Sequence, residues 1–216
     1  MAYIWINPVT AGMYEEEELN VFLQEHGYKR FETSIDWLTI VKDKYLTAVK
    51  QSKSPVIDVR CPKAKELLES MELKSEVTFP QIYPILIHCA QEGSGRKELQ
   101  NETKIITTPC QALADMGNGL HFPDTHFISW NQFLEMIGSE PERKQIYKSP
   151  IPPGYFKDLD IQTISVTGEE EIRNFFQTEI PAETQLVELL YCKDGCHHGD
   201  GIVVRKSDKF DSRYGK

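Results

Sequence analysis

Short apolar runs alternate with amphipathic stretches along the 216 residues of this chain. Residues 3–6 (Tyr-Ile-Trp-Ile) read as a first strand, and a loop over 7–13 carries Pro8 and Gly12. Within 15–26, Leu19, Phe22 and Leu23 fall at helical spacing and Gly27 stops the segment. Its first turns hold Glu15, Glu16, Glu17 and Glu18, where negative charge suits the helix dipole. Leu38, Val41, Tyr45, Leu46 and Val49 mark a second amphipathic helix over 37–49. One arrangement then recurs: residues 55–60 run into Cys61, 85–88 into Cys89, 104–109 into Cys110 and 186–191 into Cys192. Each is a short β-rich run with a cysteine at its C-terminal end. Strands are also expected over 126–129 and 161–166, and helices over 131–137 and 169–176.

Strands alternating with helices imply an α/β protein with a mainly parallel sheet. In such sheets ligands bind beyond the carboxyl ends of the strands, so the fold is expected to place these cysteines on one rim. Residues 149–154 (Ser-Pro-Ile-Pro-Pro-Gly) form a rigid connector and the candidate boundary between two lobes of a single domain spanning 1–216.

Hydrophobic residues make up 40% and charged residues 26%, the ordinary balance of a globular protein. No apolar run has transmembrane length, and the start lacks the basic and long apolar regions of a signal peptide. The expectation is a cytoplasmic protein without a membrane partner. A net charge of −9 repels phosphate backbones, so nucleic acid is not an expected partner. The C-terminal cations Arg205, Lys206, Lys209, Arg213 and Lys216 are diluted by Asp200, Asp208 and Asp211 and read as a solvated tail. Five cysteines in such a protein point to thiols, metal ligands or catalysis rather than structural disulfides.

Cys192 and Cys196 form a C-x3-C pair followed by His197, His198, Gly199, Asp200 and Gly201. Two thiolates this close can share one metal centre, and Gly195, Gly199 and Gly201 let the backbone approach a bulky group. Cys61 and Cys110 are single and distant in sequence. Single ligands scattered over strand ends suit an iron–sulfur cluster, which takes four thiolates, better than a zinc knuckle with its paired ligands. A zinc site using His197 or His198 is the competing reading. Cys89 reads as a buried core thiol, although its expected place at a strand end keeps it a candidate neighbour of the cluster.

These residues resemble the cluster domain of iron-only hydrogenases, in a shortened, non-hydrogenase form. In that family a Cys-Cys-Pro motif, a Pro-Cys motif with a lysine three residues on, and a Cys-x3-Cys-x2-Gly-Gly-Gly motif hold a 4Fe-4S cluster with an attached diiron subsite. Arg60-Cys61-Pro62 is similar to the first, Thr108-Pro109-Cys110 to the second, and Cys192-x3-Cys196-x2-Gly199-Asp200-Gly201 to the third. The order is the same. Residues 4–8 with the helix ending at Gly27-Tyr28, and residues 124–130, are similar to the family's flanking segments. Long stretches between the second and third motifs are missing.

The resemblance implies two small lobes of mainly parallel sheet flanked by helices, with the cluster between them, bound by Cys61, Cys110, Cys192 and Cys196. It also implies what is absent. Arg60 stands where hydrogenases carry the cysteine that delivers protons to the diiron site. Leu113 replaces the lysine that donates to a cyanide ligand, a charged hydrogen bond no apolar side chain can make. Met116 stands where the family usually has a proton-path glutamate.

The expected function is therefore a redox, sensing or accessory 4Fe-4S protein, without hydrogenase activity and served by a redox partner such as a ferredoxin. Two alternatives are an enzyme whose open cluster iron binds a small anionic substrate beside Arg60 and His197, and a zinc- or thiol-stabilised interaction domain. No catalytic residue is assigned. Arg60 is expected either to tune the cluster or bind an anion, or to sit in a surface ion pair. His197 and His198 are candidate partners of cluster sulfur, or a solvent-facing loop pair. His88 is expected as a satisfied core histidine in a buried strand. Residues 93–97 (Gly-Ser-Gly-Arg-Lys) form either a phosphate cradle or, more simply, a loop. Asp58 and Asp115 are weaker acid–base candidates, expected in solvated or capping roles.

Overall fold

A computed structural model describes residues 2–144 and 146–203. The tail cations from Arg205 to Lys216, with Asp208 and Asp211, lie outside the described residues. In chain order the elements are β1 (Ala2–Trp5), α1 (Pro8–Ala11), α2 (Glu16–Glu25), β2 (Tyr28–Arg30), α3 (Trp37–Gln51), β3 (Val56–Ile57), α4 (Pro62–Glu69) and α5 (Ile85–Gly95). There follow β4 (Lys104–Thr108), α6 (Gln111–Asn118), β5 (Thr125–Ser129), α7 (Trp130–Ile137), β6 (Thr163–Thr167), α8 (Glu169–Phe176) and β7 (Leu186–Leu190).

The strands form two sheets, ordered β2-β1-β4-β5 and β3-β7-β6, and every pairing is parallel. The protein is thus α/β with two parallel-strand sheets flanked by helices. β3 already belongs to the second sheet, so the chain passes between the sheets after β2, after β3 and after β5. The connector over 149–154 lies in the last of these passages.

Parallel sheets bury both faces, and the strand sequences show it. Successive side chains point to opposite faces. Ile4 and Ile105 therefore join Leu19, Phe22, Leu23, Trp130 and Phe133 on one side of the first sheet. Their neighbours Trp5 and Ile106 join Ile87, Leu113, Ala114 and Phe127 on the other. In the second sheet Ile57 and Val187 face Leu67, Leu68, Ile172 and Phe176, while Val56 and Leu186 face Val41, Tyr45 and Phe156. Among the described residues no helix is long and apolar enough to cross a membrane.

One expected strand is a helix. Residues 85–88 open α5, with Pro84 at its N-cap and Leu86, Ile87, His88, Cys89 and Ala90 all buried. A short apolar run cannot be told from a fully buried helix turn by periodicity, because burial on every side erases the polar face that reveals the period. Cys89 therefore lies inside a helix and not at a strand end. The glycine-rich segment at 93–97 is likewise no phosphate cradle. Gly93, Ser94 and Gly95 complete α5, Lys97–Leu99 is a 3-10 turn, and Arg96 pairs with Glu92.

Candidate metal centre

Three parallel strands end where cysteines begin. β3 leads to Cys61, the N-cap of α4, and β4 leads to Cys110, the N-cap of α6. β7 leads through Tyr191 to Cys192, and Cys196 opens a 3-10 turn, Cys196–His198. All are free thiols; Cys110 is buried and the other three half-buried.

The contacts draw the four segments together. The Tyr191 amide donates to Cys61 Sγ at 3.5 Å, which sets Cys61 against the start of the C-x3-C turn. The Cys196 amide donates to the Ile151 carbonyl at 3.4 Å, and the Gly201 amide to the Pro109 carbonyl at 3.1 Å. Two glycines make this closeness possible. A Cβ on Gly199 would lie 2.2 Å from the Pro109 oxygen, and one on Gly201 would lie 3.0 Å from the Cys110 Cα. The loop that carries Cys196 is thus pressed against the residues that carry Cys110.

Electrostatics give the same picture. Burial, helped by Cys61, Asp200 and Cys192 and opposed by the Leu113 amide, pushes the Cys110 thiol up to about 12. Burial and then Cys61 bring Cys192 to about 11. Cys196 is raised well above the usual thiol range by burial, Cys61, Cys192 and Cys110, with Arg60 opposing. Cys61 is raised by burial, while the amides of Tyr191, Ala64 and Lys63 favour its thiolate. Cys196 feels the other three thiols, Cys110 feels Cys61 and Cys192, and Cys192 feels Cys61, so the four lie in one neighbourhood. Without a cation the group stays protonated at neutral pH. A bound metal releases those protons, because only the thiolate ligates.

Among the described residues no three His, Cys, Asp or Glu side chains stand close enough to hold a metal ion. A single zinc with four thiolates needs sulfurs ~3.8 Å apart. A four-iron cluster spreads its ligands wider, since each thiolate bonds a different corner. Four thiols are the donor set that a four-iron cluster takes, and the Tyr191 amide is turned toward the Cys61 sulfur.

Arg60 lies beside this group and is not a surface arginine. Its Nε donates to Asp58 Oδ1 at 2.9 Å, and its second guanidinium nitrogen reaches Asp58 Oδ2 at 2.7 Å and Glu188 Oε1 at 3.3 Å. The guanidinium lies 3.7 Å from the centre of the Tyr155 ring. Burial alone would favour its neutral form, but Asp58, Tyr45 and Glu188 keep it charged. Asp58 is fully buried and also accepts from Tyr45 Oη at 3.0 Å, so it is neither solvated nor a free base. Glu188, 1% exposed, accepts from the Gly154 and Tyr155 amides at 2.7 and 2.8 Å and from Ser165 Oγ at 2.5 Å. This network ties β3, β6, β7 and the connector together immediately behind Cys61.

The two histidines divide their roles. His198 Nδ1 lies 2.9 Å from the Lys193 carbonyl and braces the turn. His197 Nδ1 is buried with no hydrogen-bond partner, and its ring lies 3.8 Å from that of His198, tilted by 33°. Burial, with His198, lowers the affinity of His197 for a proton. His88 stacks on Trp37, but its Nε2 is buried without a partner, so it is a core histidine with one unsatisfied nitrogen. Leu113 is buried in the apolar core and Met116 packs against that core. Asp115 accepts from Gln111 Nε2 at 2.8 Å on the exposed face of α6.

Cys89 keeps different company. Burial raises it to about 12, and its strongest neighbours are Thr33, Glu92 and Glu32, none of them a thiol. The structure thus brings the segments of Cys61, Cys110, Cys192 and Cys196 together with Arg60, while His197 neighbours His198 and Cys89 packs in α5.

Residues that sequence reasoning passed over complete the site. Glu188 carried a visible signal, a carboxylate inside an otherwise apolar buried strand. Lys63, whose Nζ meets Asp200 Oδ2 at 2.5 Å, carried none, since one lysine at the start of a helix looks like any other.

Comparison of the chain with protein-family models and with curated proteins finds no match to either. The likeness to iron-only hydrogenases is carried by the ordered motifs alone.

Proposed function

We propose that this chain binds one 4Fe-4S cluster through Cys61, Cys110, Cys192 and Cys196 and serves a redox, sensing or accessory role without a diiron site or hydrogenase activity. The observation that supports the reading is the approach of the Cys61, Cys110 and Cys192–Cys196 segments, with the Tyr191 amide on Cys61 Sγ, the Gly201 amide on the Pro109 carbonyl, and Cys196 feeling the other three thiols. A bound cluster would supply one-electron transfer at a potential set by its surroundings. The chain's own contribution is to hold and insulate. The Lys63, Ala64 and Tyr191 amides turned to Cys61, and the Leu113 amide turned to Cys110, stabilise thiolate charge. The Asp58–Arg60–Glu188 network sets one cation against two carboxylates behind the site, which disfavours adding an electron there.

Two observations favour this reading over its alternatives. Arg60 is already engaged by two carboxylates, which argues against a site for a small anionic substrate beside it. Cys61 and Cys110 come singly from strand ends far apart in the chain, which suits a cluster better than a zinc knuckle with its paired ligands. The working setting is the cytoplasm of an oxygen-avoiding metabolism, with electrons exchanged through a redox protein such as a ferredoxin. The net charge of −9 disfavours a nucleic-acid partner.

Anaerobic purification followed by reduction tests the reading. A brown protein with about four irons per chain, giving a low-temperature electron-spin signal when reduced, is the expected result. A colourless protein with one tightly held zinc overturns it.

A further inference from the structure

We infer that Asp200 is a positioning residue that clasps the cysteine site shut, each of its carboxylate oxygens holding a different cysteine-capped helix. The inference rests on the cluster reading for its purpose but not for its geometry. Asp200 Oδ1 accepts from the Gln111 amide at 3.0 Å. That amide is the first of α6, directly after Cys110, and the Cys110 side chain makes no cap bond of its own. Asp200 Oδ2 takes the Lys63 ammonium at 2.5 Å. Lys63 is in the first turn of α4, directly after the Cys61–Pro62 pair, and Cys61 likewise makes no side-chain cap bond.

Asp200 itself lies four residues beyond Cys196 on the same loop. One side chain therefore links three of the four cysteine segments. Gly199 and Gly201 on either side are held against Pro109 and Cys110, so the loop backbone approaches close enough for a side chain as short as aspartate to reach both helices.

Chemistry separates the two oxygens. The bond to Gln111 needs only an acceptor, because a helix N-terminal amide is satisfied by a neutral oxygen as well as a charged one. The bond to Lys63 needs charge. The ion pair is partly exposed, with side-chain exposures of 32% and 43%, so it contributes little to global stability. Its effect is local: it fixes the first turn of α4 relative to the loop.

The test is the alkylation rate of individual thiols in metal-free protein, read by mass spectrometry after peptide digestion. It needs no metal, so it stands or falls separately from the iron content that tests the cluster reading. Asp200→Ala is expected to speed modification of Cys110 about fivefold, the consequence of losing one helix cap. The same variant speeds modification of Cys61 about twofold. Asp200→Asn retains the acceptor and brings Cys110 most of the way back to the wild-type rate, the remainder following from the lost negative charge that had disfavoured its thiolate, while Cys61 stays fast. Lys63→Met reproduces the Asp200→Asn pattern. Cys89 keeps its wild-type rate in all three. Unchanged rates at Cys110 and Cys61 in Asp200→Ala overturn the proposal. So does an equal rise at Cys89 in every variant, since Asp200 would then support the fold as a whole and not this site.

Discussion

Cys110 and Cys89 are both buried in the same apolar cluster of the first sheet, and burial raises both thiols to about 12. Cys110 follows a parallel strand, stands at the N-cap of a helix whose Leu113 amide favours its thiolate, and feels Cys61 and Cys192. Cys89 lies within α5, and its neighbours are a threonine and two glutamates. Depth and proton affinity do not tell a ligand from a core thiol. What differs is the backbone position, which sets Cys110 after a strand, near Cys61 and Cys192, and sets Cys89 inside a packed helix. A thiol at the carboxyl end of a parallel strand shares a rim with every other such end, whereas a thiol in mid-helix shares a face only with its packing partners.

Three sets of substitutions test that contrast, beginning with the largest effect. Replacing Cys61, Cys110, Cys192 or Cys196 by Ser is expected to take the iron content of anaerobically prepared protein from about four per chain to below about one. Cys89→Ser leaves it unchanged. If Cys89→Ser empties the protein and Cys61→Ser does not, the two regions have been assigned the wrong way round.

Arg60→Ala comes next. It strands Asp58 and Glu188 as buried carboxylates, and breaking a buried ion pair from one side costs about 3–5 kcal/mol. A urea titration should show the loss as a lowered midpoint.

The smallest effect lies in the Cys89 region. Glu92 accepts from the Ser34 and Ile35 amides, Ser34 Oγ and Trp37 Nε1, and pairs with Arg96, tying α5 to the start of α3. Burial alone would raise its carboxyl, but these bonds outweigh burial and hold it at about 2, down from 4.5. The folded-state value is depressed, so the stabilisation is complete above about 4.5 and is lost as the pH falls toward about 2. Glu92→Gln should therefore be less stable than wild type at neutral pH, with the gap closing through that acid window. Acid titrations of both proteins followed by circular dichroism check the sign. A gap that widens on acidification contradicts it.

Much of this arrangement was legible in residue order. The β-rich runs before Cys61, Cys110 and Cys192 and the helical spacing of 169–176 match observed elements, because each carries a clear period or a clear stop. The run at 85–88 misled because a helix turn buried on all sides has no polar face to show its period. Arg60 and Asp58 beside Cys61 were visible, but Glu188 lies on β7, and only the parallel pairing of β3 with β7 brings it to them. Lys63 and Asp200 meet across 137 residues, and no local pattern announces such a contact.

Native mass spectrometry of the anaerobically purified chain measures the central claim most directly. One species heavier than the polypeptide by roughly 350 Da, the mass of four irons and four sulfides, is predicted, and it should vanish in Cys196→Ser. An increment of roughly 65 Da, the mass of one zinc, or a cluster mass that survives Cys196→Ser, would contradict the account.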